Sequence, residues 1–124
     1  MNRDEQLLAL RPQIPLILED NKNEVEAFMH QTLRPILKFQ HSTLIRCIKG
    51  APHFKHLIFK LEREKKNRDT LKEFLQKNKL LKAQLIGVVI GLFSESELDC
   101  FEKNESELKK RIWEMAVTRF LSEL

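Results

Sequence analysis

The 124-residue sequence predicts an all-α, single-domain bundle of five to six short helices around a central apolar helix, with an N-terminal arm. Three observations carry that expectation. Hydrophobic residues make up 42% and charged residues 32%, too apolar for an extended disordered chain and too polar for a membrane protein. Only 3 Gly and 4 Pro, no Tyr, and 20 Leu against 17 Val, Ile and Thr leave little turn and strand material for a sandwich or barrel. Apolar positions then recur every three to four residues along most of the chain. Residues 1–22 are read as an arm and residues 23–124 as a single helical domain.

From Asp4 to Leu10 the pattern suits one or two helical turns, which Pro12 and Pro15 prevent from continuing. The arm holds Leu7, Leu8, Leu10, Ile14, Leu16, Ile17 and Leu18, so it is expected to lie over the bundle or over a partner subunit. Asn23 and Glu26 have the spacing of a capping box for the first long helix. Its stripe of Val25, Phe28, Met29, Leu33, Ile36 and Leu37 continues through Leu44, Cys47 and Ile48 to the break at Gly50-Ala51-Pro52. Pro35 interrupts it, so either Thr32 caps a second segment or the helix bends.

Phe54, Leu57, Ile58 and Leu61 mark the second helix, which runs into the charged tract Glu62–Arg68. Asn67 or Asp69 can cap a third, carrying Leu71, Phe74 and Leu75, and Asn78 separates it from the next. The fourth helix, Lys79 to Phe93, contains AQLIGVVIGLF and is expected to be the central, most buried element. It is too short to span a bilayer. Gly87 and Gly91 form a small-xxx-small pair that would admit another helix at close range. Ser94 and Glu97 form the sharpest capping box in the chain, and Asn104 with Glu107 suggests a second one for the amphipathic last helix.

Charge is segregated: net −3 over residues 1–33, +10 over 34–82 and −3 over 83–124. A basic middle between acidic ends implies either an anionic partner or ends that fold back to neutralise the middle. Cys47 and Cys100 lie far apart among apolar neighbours with no CxxC, which suits two free thiols in a reducing compartment. The N-terminus, acidic at Asp4 and Glu5 and broken by prolines, is unlike a signal peptide, and a cytoplasmic location is expected.

No catalytic, cofactor or metal signature emerges. His30, His41, His53 and His56 supply no HExxH or Glu-x-x-His spacing, and only His53 and His56 could share a helical face. Glu26 and His30, four residues apart, read as a surface hydrogen bond. GxSxG, GxGxxG and phosphate-loop patterns are missing, which leaves His30, Arg34, Gln40 and His41 near Pro35 as the one conceivable enzymic grouping. IGLFSESELDCF has the outline of a helix-turn-helix, but its second helix carries Glu95, Glu97, Asp99 and Glu102, the wrong sign for a DNA groove. Nucleic acid, if bound, would meet Lys55, Lys60, Arg63, Lys65, Lys66, Arg68 and Lys72 as non-specific phosphate contacts.

The segments NEVEAFMHQTLRPILKFQ (23–40), LIGVVIGLFSESEL (85–98) and SELKKRI (106–112) together resemble a family of short, helical, uncharacterised bacterial proteins. Members of that family sometimes carry the label glyoxalase, and the resemblance implies such a label here. Glyoxalase I-type enzymes hold a divalent metal with His and Glu on paired βαβββ units, and neither strands nor ligand set are visible in this sequence. The expected function is that of a non-catalytic cytoplasmic protein acting through protein–protein contacts, as a homodimer without cofactor. Leu7, Leu8, Ile14, Ile17, Trp113, Phe120 and Leu124 are the candidate interface. The alternatives are nucleic-acid binding through residues 34–82 and a small enzyme of unknown chemistry.

Overall fold

Asn23 opens the helical domain by accepting a hydrogen bond from the Glu26 amide (2.8 Å). In the computed structural model, which describes residues 2–12, 23–52, 54–64 and 68–123, with side chains except at 60–64, 68 and 70, the expected all-α bundle is what forms. Its elements are α1 (Arg3–Leu10), α2 (Glu24–Phe28), a π-helical turn (Met29–Leu33), α3 (Arg34–Phe39), α4 (His41–Lys49), α5 (Phe54–Glu64), α6 (Arg68–Lys77), α7 (Lys79–Ile90), α8 (Glu95–Lys103) and α9 (Glu105–Ser122). No strand occurs among the described residues, so the βαβββ unit of a glyoxalase I-type enzyme is not formed there.

Pro35 falls in the first turn of a second helical segment, as one of the two expected routes has it, but Thr32 does not cap that segment. A regular α register would aim the Gln31 carbonyl at residue 35, a proline with no N–H to offer. Residues 29–33 instead widen to the π register, in which the Arg34 N–H donates to the Met29 carbonyl. Pro35 then falls in the first turn of α3, where a missing donor costs nothing. Thr32 caps no helix. It is buried, and its hydroxyl donates across the molecule to Glu97 Oε2 (3.0 Å).

Two helices share the centre. α9 packs against α4, α6, α7 and α8, and α4 and α6 also pack on α7. Leu108, Ile112, Trp113, Ala116, Val117 and Phe120 of α9 are all buried, whereas α7 buries Leu81, Leu85, Ile86 and Val89. The two bury the same share, 4 of 12 residues in α7 and 6 of 18 in α9, so the expected central helix shares its place with α9. Leu80, Gln84, Gly87 and Gly91, spaced by four, three and four residues, form an exposed stripe along α7, with Leu80 79% accessible. Among the described residues no helix of this chain packs at close range on the Gly87–Gly91 pair. A Cβ at Gly87 would meet nothing within 4 Å. Gly87→Ala should stabilise the chain by about 1 kcal/mol, because it removes glycine's backbone entropy cost from an exposed helix interior. A thermal melt checks this, and a lowered midpoint would show that the stripe is covered.

Capping fixes the corners. Asn78 accepts from the Leu81 amide (3.1 Å), and the Ser94–Glu97 box is complete, with Ser94 N donating to Glu97 Oε1 (2.8 Å) and Glu97 N to Ser94 Oγ (3.4 Å). The second expected box does not form. Asn104 turns its amide back to the Cys100 carbonyl (3.1 Å) and across to Glu24 (3.3 Å), closing α8 and tying it to α2 rather than capping α9.

The first helix of the arm sits on the α7–α8 corner. Arg3 donates to the carbonyls of Phe93 (2.9 Å) and Gly91 (3.1 Å), and Arg11 to that of Leu92 (3.1 Å), so cations meet oxygens left open beyond the end of α7. Asp4 accepts from the first amide of α8, Glu95 N (3.2 Å). Leu7 is buried beneath, while Leu8 and Leu10 are 55% and 48% accessible. Residues 13–22, including Ile14 and Ile17, lie outside the described residues.

Candidate functional site

A groove of about 470 Å³ runs between α4 and α7. Thr43, Arg46, Cys47 and Gly50 form one wall at helical spacing, Ala51 and Pro52 close one end, and Asn78, Leu80, Leu81 and Gln84 form the other wall. No described residue of its lining is a carboxylate. The reason is written along the chain, because residues 27–61 and 74–94 contain no Asp or Glu at all. Arg46, Lys49 and Lys79 are exposed on the two helices. The exposed stripe of α7 is therefore one side of a groove with an apolar floor, lined by Arg46, with Lys49 and Lys79 on the same two helices.

Among the described residues the acidic ends do little to neutralise it. A single bond to a carboxylate there, from His41 to Glu123 (2.9 Å), joins the basic middle to an acidic end. The other described pairs lie within the ends or within one helix, as in Arg11–Glu97, Lys77–Glu73, Lys109–Glu105 and Arg111–Glu107. Of the cations expected to meet an anionic partner, Lys55 and Lys72 are exposed on α5 and α6. The side chains of Lys60, Arg63, Lys65, Lys66 and Arg68 lie outside the description. Arg46, Lys49 and Lys79 escaped the sequence reading, which sought runs of charge; the signal that would have found them is the absence of carboxylates.

A second polar cluster lies toward the start of α4. Arg119 of α9 donates to His41 Nδ1 (3.4 Å), which leaves His41 Nε2–H to donate to Glu123 Oε1 (2.9 Å). Arg119 shares a groove of about 300 Å³ with Arg34, Glu114, Met115 and Thr118. Burial, and then the neighbouring charge of Arg34, lower the pKa of Arg119 below the usual guanidinium range. Of the four residues once grouped near Pro35, Arg34 and His41 are thus brought together through Arg119. Gln40 instead donates to the Val88 carbonyl (3.4 Å), and His30 lies in the π turn with a buried Nδ1 that has no hydrogen-bond partner among the described residues. The expected Glu26–His30 bond is not among the described hydrogen bonds.

His56 is exposed, His53 lies outside the described residues, and no group of three or more potential metal ligands occurs among the described residues. Both cysteines are free. Burial, and then the hydrogen bond with Glu24, push the Cys100 thiol up, which disfavours the nucleophilic thiolate. No helix of the described residues is long and apolar enough to cross a membrane. The candidate interface is redistributed: Trp113 and Phe120 are 4% and 0% accessible because α9 is packed on several sides, so they have almost no area to offer a partner. Leu7 is covered within the chain, Leu8 remains open, and Leu124 lies outside the described residues. Comparison with known families, with curated proteins and with solved structures finds no match for this chain.

Proposed function

We propose that this protein is a non-catalytic cytoplasmic binding protein that meets nucleic acid, without sequence preference, through the groove between α4 and α7. The single observation that supports this reading is the described lining, free of carboxylates, beside Arg46, Lys49 and Lys79. Cations on two packed helices place several charges along one phosphate backbone, and exposed Leu80 offers apolar contact between them. The free thiols suit a reducing compartment. Homodimerisation is the second reading, supported by Leu8 and Leu10 on the open side of α1.

Fluorescence anisotropy with a labelled DNA duplex tests the first reading. Three phosphate contacts give a log–log salt slope near about −3, so affinity should fall roughly 40-fold between 50 and 200 mM salt. The double reversal Arg46→Glu/Lys49→Glu should weaken binding at least about tenfold, and an unaffected affinity, or no binding at 50 mM, would overturn the proposal. Light scattering on the same sample reads the mass, and a monomer removes the second reading.

A further inference from the structure

The geometry points to a separate site for a small phosphate-class oxyanion, held by Arg34 and Arg119 in the groove between α3 and α9. It goes beyond the nucleic-acid reading, since the α4–α7 groove draws on the far half of α4 and the failure of either leaves the other standing.

Three features carry the inference. First, two half-buried guanidiniums face one groove of about 300 Å³, near the size of the smallest ligand sites. Second, neither meets a carboxylate among the described residues. Arg119 donates only to His41 Nδ1, and Arg34 has no side-chain hydrogen bond or ion pair among the described residues. Glu114 lines the same groove but forms no ion pair with either, and His41 is already matched to Glu123. Third, apart from Glu114 the described lining adds no negative charge: Met115 is apolar, and the Thr118 hydroxyl proton is spent on the Glu114 carbonyl (2.8 Å), so the two guanidiniums are the groove's side-chain donors. Two like charges kept together in a partly buried groove repel one another, and an oxyanion between them converts that repulsion into charge-assisted hydrogen bonds. Planar guanidiniums can make such bonds in pairs. Ammonium groups in their place would be point charges with no such fork.

The probe is inorganic phosphate, added to the full chain against sodium chloride at matched ionic strength, with the melting temperature as readout. Phosphate at about ten times its dissociation constant should raise the midpoint by about 5 °C beyond the chloride control. Arg119→Gln and Arg34→Gln should each abolish that rise, and Glu114→Gln should strengthen phosphate binding by removing the competing carboxylate. Should Arg119→Gln fail to fold, Arg34→Gln decides alone, because the Arg34 side chain makes no described bond that folding would miss. Equal midpoints in phosphate and chloride, or a full rise surviving in Arg34→Gln, would overturn the site.

Discussion

Glu97→Ala should cost about 3 kcal/mol of stability, a loss set by one partly buried, multiply hydrogen-bonded ion pair. Arg11 and Glu97 are 11% and 13% accessible at their side chains, and the carboxylate takes both terminal nitrogens of Arg11, the Thr32 hydroxyl (3.0 Å) and the Ser94 amide (2.8 Å). Removing it strands a guanidinium whose Nε has no partner among the described residues, opens the cap of α8 and leaves the buried Thr32 hydroxyl unmatched. Domains of this size are stable by about 5–15 kcal/mol, so the urea midpoint should move down by roughly 2 M. A shift below about 0.5 M would mean the pair is solvated and holds little.

The same carboxylate sets an acid limit. Burial raises the Glu97 pKa, but the hydrogen bond and charge of Arg11, with the bonds from Ser94 and Thr32, outweigh it and hold the carboxyl below its ordinary value of 4.5. A depressed folded value means the contribution is complete above the unfolded pKa and is lost as pH falls through the folded one. Stability of the wild-type chain should therefore decline below about pH 4.5 more steeply than that of Glu97→Gln, which has no proton to take up there.

The Glu97 network shows where sequence reasoning ends. Ser94 and Glu97 are three residues apart, and their box was legible because both partners lie in one turn; the cap at Asn23 was legible for the same reason, whereas Asn78 was read only as a break between helices. Arg11 reaches Glu97 across 86 positions, and no local pattern says which carboxylate a lone arginine will find. Asn104 and Gly87 failed in the opposite sense, since each carries a strong local signal that tertiary contacts redirected or left unused. The two candidate grooves divide similarly. The absence of carboxylates from α4 and α7 can be read along the chain, whereas the meeting of Arg34 with Arg119 depends on α3 packing near α9.

Phe93→Ala should destabilise by about 3–5 kcal/mol, comparable to Glu97→Ala but by a different physical route. Phe93 is fully buried where the chain turns from α7 into α8. Its ring meets Phe28 of α2 edge-on at 5.3 Å and lies tilted against Phe101 of α8 at 5.8 Å. Such aromatic contacts add about 0.5–1.5 kcal/mol each to the burial term, and deleting the central ring leaves a cavity that α2 and α8 would have to move to fill. The Phe93 carbonyl is also where Arg3 holds the arm, so slackening this corner should loosen α1 as well. Hydrogen exchange should then show faster uptake in residues 3–10 of Phe93→Ala, while Phe120→Ala, which removes an equally buried ring packed on Phe54 at 5.6 Å, leaves α1 protected relative to its own global stability. Equal relative protection of α1 in the two variants would show that the arm is held independently of the aromatic corner.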